Sequence, residues 1–434
     1  MIPIPPLPSP ASHRSRRRNL AALPVALALA STLLPILSHA DWPQWRGPGR
    51  DGVAADATPW PTRLDAGSLT RRWHVPLGPS YSGPLIVGDK VFVTEARNQS
   101  LEAAIALDRA TGKEVWRREW EGYVKVPFFA KSNGDWIRST PAYAEGRLFV
   151  GGMRDLLVAL DAATGRELWR IDFPKQLGKP IPDFGLVCSP LATSDAVYVQ
   201  AGAGVARVEA ATGRVVWHAL QDGGGMWGSA FSSPILARIA GEEQLVVQTR
   251  DQLAGLRPSD GKVLWAQNIK SFRGMNILTP VVSGDRILTS SYGGQTQGWT
   301  VKREGETWKV AEDWHLKLEA YMSTPVVIDG VAYLHTRAQK LAAVEIATGR
   351  KCWETDQKFG KYQSLVTRDQ RVLALDQRGE LLLFEAKPDA YHPAGTSKLS
   401  DAESWAHLAV SGSDLVVREQ GGVTAWNWIA AAKP

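Results

Sequence analysis

The chain has 434 residues, 44% hydrophobic and 22% charged, with 18 Trp and 2 Cys. Its formal charge of +6 is concentrated in a leader that holds Arg14, Arg16, Arg17 and Arg18 and no acid, so the rest is nearly neutral and no nucleic-acid partner is expected. The two cysteines, Cys188 and Cys352, lack the spacing of a metal or redox pair and read as buried free thiols.

Residues 1–40 combine the basic text "RSRRRNL", an apolar run from Leu20 to Leu37 and small residues Ser38 and Ala40. That order is expected of a secretory signal peptide cleaved after Ala40, so the mature chain is expected in the periplasm or outside the cell. No Cys follows the cleavage point and no later stretch is apolar enough to span a membrane, so neither a lipid anchor nor a transmembrane segment is expected. Residues 41–72 read as an N-terminal extended segment, 73–428 as a repeat domain and 429–434 as a tail.

The repeat shows as "LDRATGKEVWR" from Leu107, "LDAATGRELWR" from Leu160, "VEAATGRVVWH" from Val208, "LRPSDGKVLWA" from Leu256 and "VEIATGRKCWE" from Val344. Upstream of each lies a short polar residue and a Pro that open an apolar run, as in "STPAYAEGRLFV" from Ser139. Each unit parses into four short alternating strands joined by Gly-containing turns. Units of this length and strand count predict an all-β fold, a β-propeller of four-stranded antiparallel blades. Seven complete units, and an eighth start from Ala406 that lacks its last strand, predict eight blades. The missing strand is supplied by "LTRRWHVPL" around Trp73, so both termini share one blade and leave no open sheet edge.

The turn residues read as structure. Asp108 and Asp161 are placed to accept N–H groups of their turns, and Gly112, Gly165, Gly213, Gly261 and Gly349 to take positive φ. Trp116, Trp169, Trp217, Trp265 and Trp353 follow as packing anchors between blades. With Trp73, Trp314 and Trp405 they count one per blade, which a single binding site has no use for. "KPDAYHPAGTSK" from Lys387 reads as an insertion before Trp405, and "DGGGMWG" from Asp222 as a glycine turn, since no helix follows to make a phosphate loop.

The pattern Ala159, Asp161, Thr164, Gly165 and Trp169 resembles the tryptophan-docking repeat of quinoprotein β-propellers, the PQQ-like family. The resemblance covers nearly the whole mature chain. The same repeat builds pyrroloquinoline quinone (PQQ) dehydrogenases and the propeller lipoprotein of the outer-membrane β-barrel assembly machinery, so it implies fold more than function. A dehydrogenase of that family implies Ca²⁺, an aspartate base and two adjacent cysteines, whereas Cys188 and Cys352 are far apart. No zinc-ligand cluster or GxSxG elbow is present either. No catalytic residue, metal or cofactor is therefore expected. The expected function is a binding or scaffolding module for a protein, peptide or envelope component, acting as a monomer. The alternatives are a PQQ- and Ca²⁺-dependent oxidoreductase and a carbohydrate-binding or carbohydrate-active propeller.

Residues just ahead of each blade's first strand gather at one mouth of such a ring. They give the candidate site: Tyr81, Trp136, Arg138, Trp227, Arg273, Asn276, Tyr321, Tyr362 and Trp405.

Overall fold

Among the described residues, thirty-two strands, β1 to β32, pair into eight four-stranded antiparallel sheets. The computed structural model describes residues 41–56, 58–65, 67–224 and 230–428. The expected signal peptide, Trp227 with most of the glycine turn around it, and the tail from 429 lie outside the described residues. Blades 1 to 7 run in chain order as β2–β5 (85–121), β6–β9 (142–172), β10–β13 (191–219), β14–β17 (235–268), β18–β21 (281–316), β22–β25 (326–354) and β26–β29 (363–398). Blade 8 joins β30–β32 (409–428) to β1 (Leu69–Pro76), which pairs antiparallel with β32 from Leu69 opposite Trp428 to Pro76 opposite Gly422. The two ends of the repeat region thus close the ring in one sheet, and the closing strand, Leu69–Pro76, is the stretch read for it in the sequence.

Blade interiors carry the core. Leu157, Val158, Ala159 and Leu160 of β8 (Leu156–Asp161) are all fully buried, because both faces of a blade are covered by neighbouring blades. Phe92 and Trp116 of blade 1 pack in one cluster with Leu148, Val150 and Leu160 of blade 2. The core therefore lies between sheets, and each blade depends on the next.

The recurring turn makes that dependence specific. Asp161 accepts the N–H groups of Ala163 and Thr164 and the Thr164 hydroxyl, which holds its carboxyl below the usual carboxylate range. The Trp of one blade docks onto the turn of the next. Trp116 Nε1 donates to the Ala162 carbonyl at 3.0 Å, and Trp169, Trp217 and Trp353 repeat the bond to Ala210, Pro258 and Lys387. Gly165 has φ 72°, and a Cβ there would stand 2.6 Å from the Trp116 ring. One glycine thus allows both the left-handed turn and the close approach of the indole.

Two blades depart from the expected pattern. Blade 5 ends in a long hairpin, β20 (Thr296–Glu304) and β21 (Thr307–Leu316), with no docking turn. Trp265, which would dock there, instead donates from Nε1 to Gln244 Oε1 within its own blade. In blade 7 the stretch read as an insertion is the outer strand itself, β29 (His392–Lys398), and it carries no Trp. Trp405 is therefore not a blade anchor. It lies in the following loop and donates to Glu403 Oε2.

Cys188 is buried and Cys352 partly exposed, and both are free thiols. Glu102 is 1% exposed and accepts the Trp120 indole N–H and the Met153 backbone N–H, each at 2.9 Å. Burial pushes its pKa up from 4.5 to about 8. Between those values the unfolded chain carries the charge and the folded one holds the proton. Unfolding then releases a proton, and stability falls as pH rises through this window. Glu102→Gln removes that ionisation, so its stability relative to the parent should climb from pH 4.5 to pH 8 in urea titrations. A flat difference across that range would refute the assignment.

Candidate functional site

The short residue ahead of each Pro has a defined task. The Gly83 N–H donates to Thr140 Oγ1, Thr140 to Ser189 Oγ, Ser189 to Ser233 Oγ, Ser233 to Thr279 Oγ1 and Thr279 to Thr324 Oγ1. Backbone N–H to side-chain hydroxyl bonds, each a relay from one blade to the next, therefore stitch the starts of the innermost strands of blades 1 to 6 around the axis. Crowding alone would ask only for a small residue; the relay asks for a hydroxyl. The Pro that follows lacks an N–H, which suits an innermost strand with no partner on the axial side.

Inside this ring sits a segment that the sequence offered only as extended chain. The Trp42 N–H bonds Ile86 of blade 1, and Thr367 of blade 7 exchanges backbone bonds with Gly52 and Ala54, so residues 42–54 cross the axis. The wholly buried Arg46 donates to the carbonyls of Arg50, Asp51, Thr324 and Pro325. Arg50 donates to those of Ser189 and Pro190 across the ring. Burial lowers their pKa values from 12.5 to about 10 and about 9, so both stay charged at neutral pH. Two arginines thus satisfy carbonyls that no neighbouring strand reaches.

The segment divides the axial space. A cavity of about 470 Å³ on one side is lined by Gly49, Arg50 and Asp51 and by strand ends of blades 4 to 6. On the side where the first strands begin, a larger one of about 610 Å³ has Trp45 and His407 against the segment and Tyr81, Arg138, Tyr321, Tyr362 and Trp405 around it. These five are sequence candidates brought together. Tyr362 stacks on Trp405 at 6.1 Å and 20°, Trp405 meets Tyr81 at 6.0 Å, and Tyr81 meets Trp136 edge-on at 5.2 Å. Arg138 lies over the Tyr81 ring at 5.1 Å, and burial lowers its pKa. Trp136 supports this wall from behind, facing a smaller cavity beside Glu102 and Tyr123.

Two candidates fall elsewhere. Asn276 is 1% exposed and spends its amide N–H groups on the carbonyls of Thr249 and Arg250, so it builds the loop and does not line the mouth. Arg273, at φ 56°, lies on the outer rim over the rings of Phe129 and Phe272. The sequence missed Trp45, Arg337, Lys361 and Glu403, which also line the cavity. Arg337 lies 4.7 Å over Tyr292 and pairs with Glu319, which raises its pKa.

The donor set does not fit a Ca²⁺-bound quinone. Glu403 is the one carboxylate among the described lining residues, and it already accepts Trp405 Nε1 and Gln377 Nε2. Cys188 is buried, its thiol pushed up to about 12 by burial, and Cys352 stands in the outer strand of blade 6, so no cysteine ring can form. Among the described residues no three His, Cys, Asp or Glu are grouped to hold a metal. Ser323 and His335 lie 3.4 Å apart, but both are buried and the Ser323 oxygen accepts the Gln363 N–H, so this pair is structural.

A family model described as outer membrane protein assembly factor BamB matches residues 101–355, from the third strand of blade 1 to the end of blade 6. The BamB of Moranella endobia (strain PCIT) is 23% identical over 312 residues, which cover 67% of this chain and 75% of that protein. For the BamB of Yersinia pestis the figures are 22% over 259 residues, 57% and 63%. The glycerol dehydrogenase large subunit of Gluconobacter oxydans (strain 621H) is 29% identical over 119 residues, 25% of this chain but only 16% of that protein. Among solved structures, BamB from Moraxella catarrhalis superposes with a TM-score of 0.59 at 16% identity, covering 84% of this chain and 99% of that one, a likeness of fold. With more than half of its residues matched, the chain belongs to the PQQ-type propeller family described as outer membrane protein assembly factor BamB.

Proposed function

We propose that the protein is an exported, non-catalytic propeller that serves as a binding or scaffolding module of the cell envelope, holding a protein or peptide at its aromatic mouth. The observation that carries this reading is the filled axis: it leaves a blind, aromatic, cation-lined cavity with no reactive constellation among the described residues around it. Aromatic and Arg side chains are the residue types that anchor partners. The leader text supports export, and no helix among the described residues is long and apolar enough to cross a membrane. Family membership supports a scaffold, since the relatives matched over most of their length are named as assembly factors.

A photo-crosslinking amino acid placed at Phe129 in cells should give one reproducible envelope adduct that Trp405→Ala abolishes. An adduct unchanged by that substitution removes the mouth from the function. The sequence matches to dehydrogenases cover 16% to 23% of the enzymes concerned, against 75% and 63% for the two BamB proteins above. Titration with PQQ and Ca²⁺ should leave the melting temperature unchanged; a dose-dependent rise would restore that alternative.

A further inference from the structure

We propose that the second axial cavity, on the face away from the mouth, receives an extended polypeptide segment that bridges by its backbone to the innermost strands of blades 4, 5 and 6. The site is separate from the mouth and does not depend on it. In the hairpin that opens each blade, hydrogen-bonded and non-hydrogen-bonded pairs alternate, so every second residue of the innermost strand turns its N–H and C=O toward the axis. The axial segment occupies such positions in four blades. Trp42 exchanges both bonds with Ile86, Pro43 accepts from Tyr143, Gln44 Oε1 accepts from Ala192, and Gly52 and Ala54 bond Thr367. Residues 42 to 44 thus serve blades 1, 2 and 3 in turn.

Blades 4 to 6 repeat the arrangement without that partner. Leu236 opposite Leu245, Val282 opposite Ile287 and Val327 opposite Ala332 hold the place that Ile86 holds opposite Val91. All three are partly exposed and line the cavity of about 470 Å³. Among the described residues their backbone groups have no hydrogen bond outside their own hairpin. Arg50 lines the same cavity, and its Nε has no acceptor among the described residues. A strand edge left open in this way is a template for another chain.

The chemistry of the lining narrows the occupant. Each open position offers a donor and an acceptor together, and a polypeptide backbone answers both at a regular repeat. An anion would meet carbonyls as well as N–H groups, and the lining charges balance, Arg50 and Arg238 against Asp51 and Asp329. No aromatic ring lies among the described lining residues to stack on a sugar. Gly49, Ala237, Ser283 and Gly284 present little side chain, so a backbone can come close, and small or β-branched side chains suit the segment best.

The test uses the mature chain, uniformly labelled with nitrogen-15, and a fluorescent ten-residue peptide of alternating Thr and Val with a Lys at each end. In the free protein the Leu236, Val282 and Val327 amides should exchange with solvent about a hundredfold faster than those of Ile86, Ala192 and Thr367. Saturating peptide should slow all three by about tenfold, and its fully N-methylated analogue should not. Val53→Trp, at an exposed position on the cavity wall, should weaken the peptide about tenfold in anisotropy without changing the melting temperature. Val282→Pro deletes one donor that the hairpin does not use, and it should weaken the peptide too. Slow exchange at the three amides in the free protein, peptide binding that leaves their exchange unchanged, or equal binding of the methylated analogue would each overturn the proposal. Failure of the peptide to bind would do the same, and protection by inorganic phosphate in its place would overturn it in favour of an anion. Each readout is at a named amide or at this cavity's wall, so the result stands apart from the crosslinking test of the mouth.

Discussion

Arg46→Ala is expected to lower the unfolding free energy by about 4 kcal/mol or more, the largest single-residue effect anticipated here. The guanidinium serves four carbonyls, two in its own segment and two just ahead of blade 6, and none of them lies in a strand that could supply another donor. Each buried carbonyl left unmet costs roughly 1–3 kcal/mol. Recovery of the cost of burying the charge offsets only part of that sum. Arg46→Lys should restore little, because a compact ammonium cannot address so many acceptors at once. Urea unfolding followed by Trp fluorescence is the measurement, and a loss under about 1 kcal/mol would show the segment to be a passenger.

Trp116→Ala is expected to cost about 3–5 kcal/mol. It removes a side chain 9% exposed that packs against Phe92 at 5.9 Å, and it leaves the Ala162 carbonyl without its indole donor. The partner substitution supplies the control. Gly165→Ala in the parent meets both a ring 2.6 Å away and a left-handed backbone at φ 72°. In the Trp116→Ala background the ring is gone, and only the backbone penalty of about 1–2 kcal/mol remains. The two changes should therefore be strongly non-additive in a double-mutant cycle. Additive costs would mean that the glycine serves the turn alone.

The ring, its eight blades and its closure were legible in the sequence because docking turns recur at fixed spacing and each leaves a countable Gly and Trp. Spacing misled where a blade does without them. The text His392–Lys398, with its Pro and Gly, resembles a loop, but as an outer strand it needs to pair on one side only. With that strand overlooked, Trp405 was counted as an anchor. The mouth was legible to the same depth. Position ahead of a first strand brings a residue to the right end of the ring, as for Tyr81, Arg138, Tyr321, Tyr362 and Trp405. It does not say where the side chain points. Asn276 turns back onto its own loop and Arg273 turns outward to the phenylalanines. Trp45 escaped notice because it arrives from a segment with no repeat pattern, and Arg337 because it sits on a hairpin tip between β23 (Val331–His335) and β24 (Leu341–Glu345).

The axial segment and β1 precede every complete blade in the chain, yet several of their partners come late. Arg46 waits for Thr324 and Pro325, Gly52 for Thr367, and Leu69 for Trp428. Whatever blades form earlier, joining the ends closes a loop of some 350 residues, a step whose entropic toll grows with separation and slows assembly. The floor of the cavity is settled late as well, since Trp45 meets the His407 ring, from the loop ahead of β30, at 6.0 Å. The mouth proposed as a binding site draws Tyr362, Glu403, Trp405 and His407 from just ahead of blade 7 and from the loop that follows it, so its wall is complete only when those residues have joined the ring.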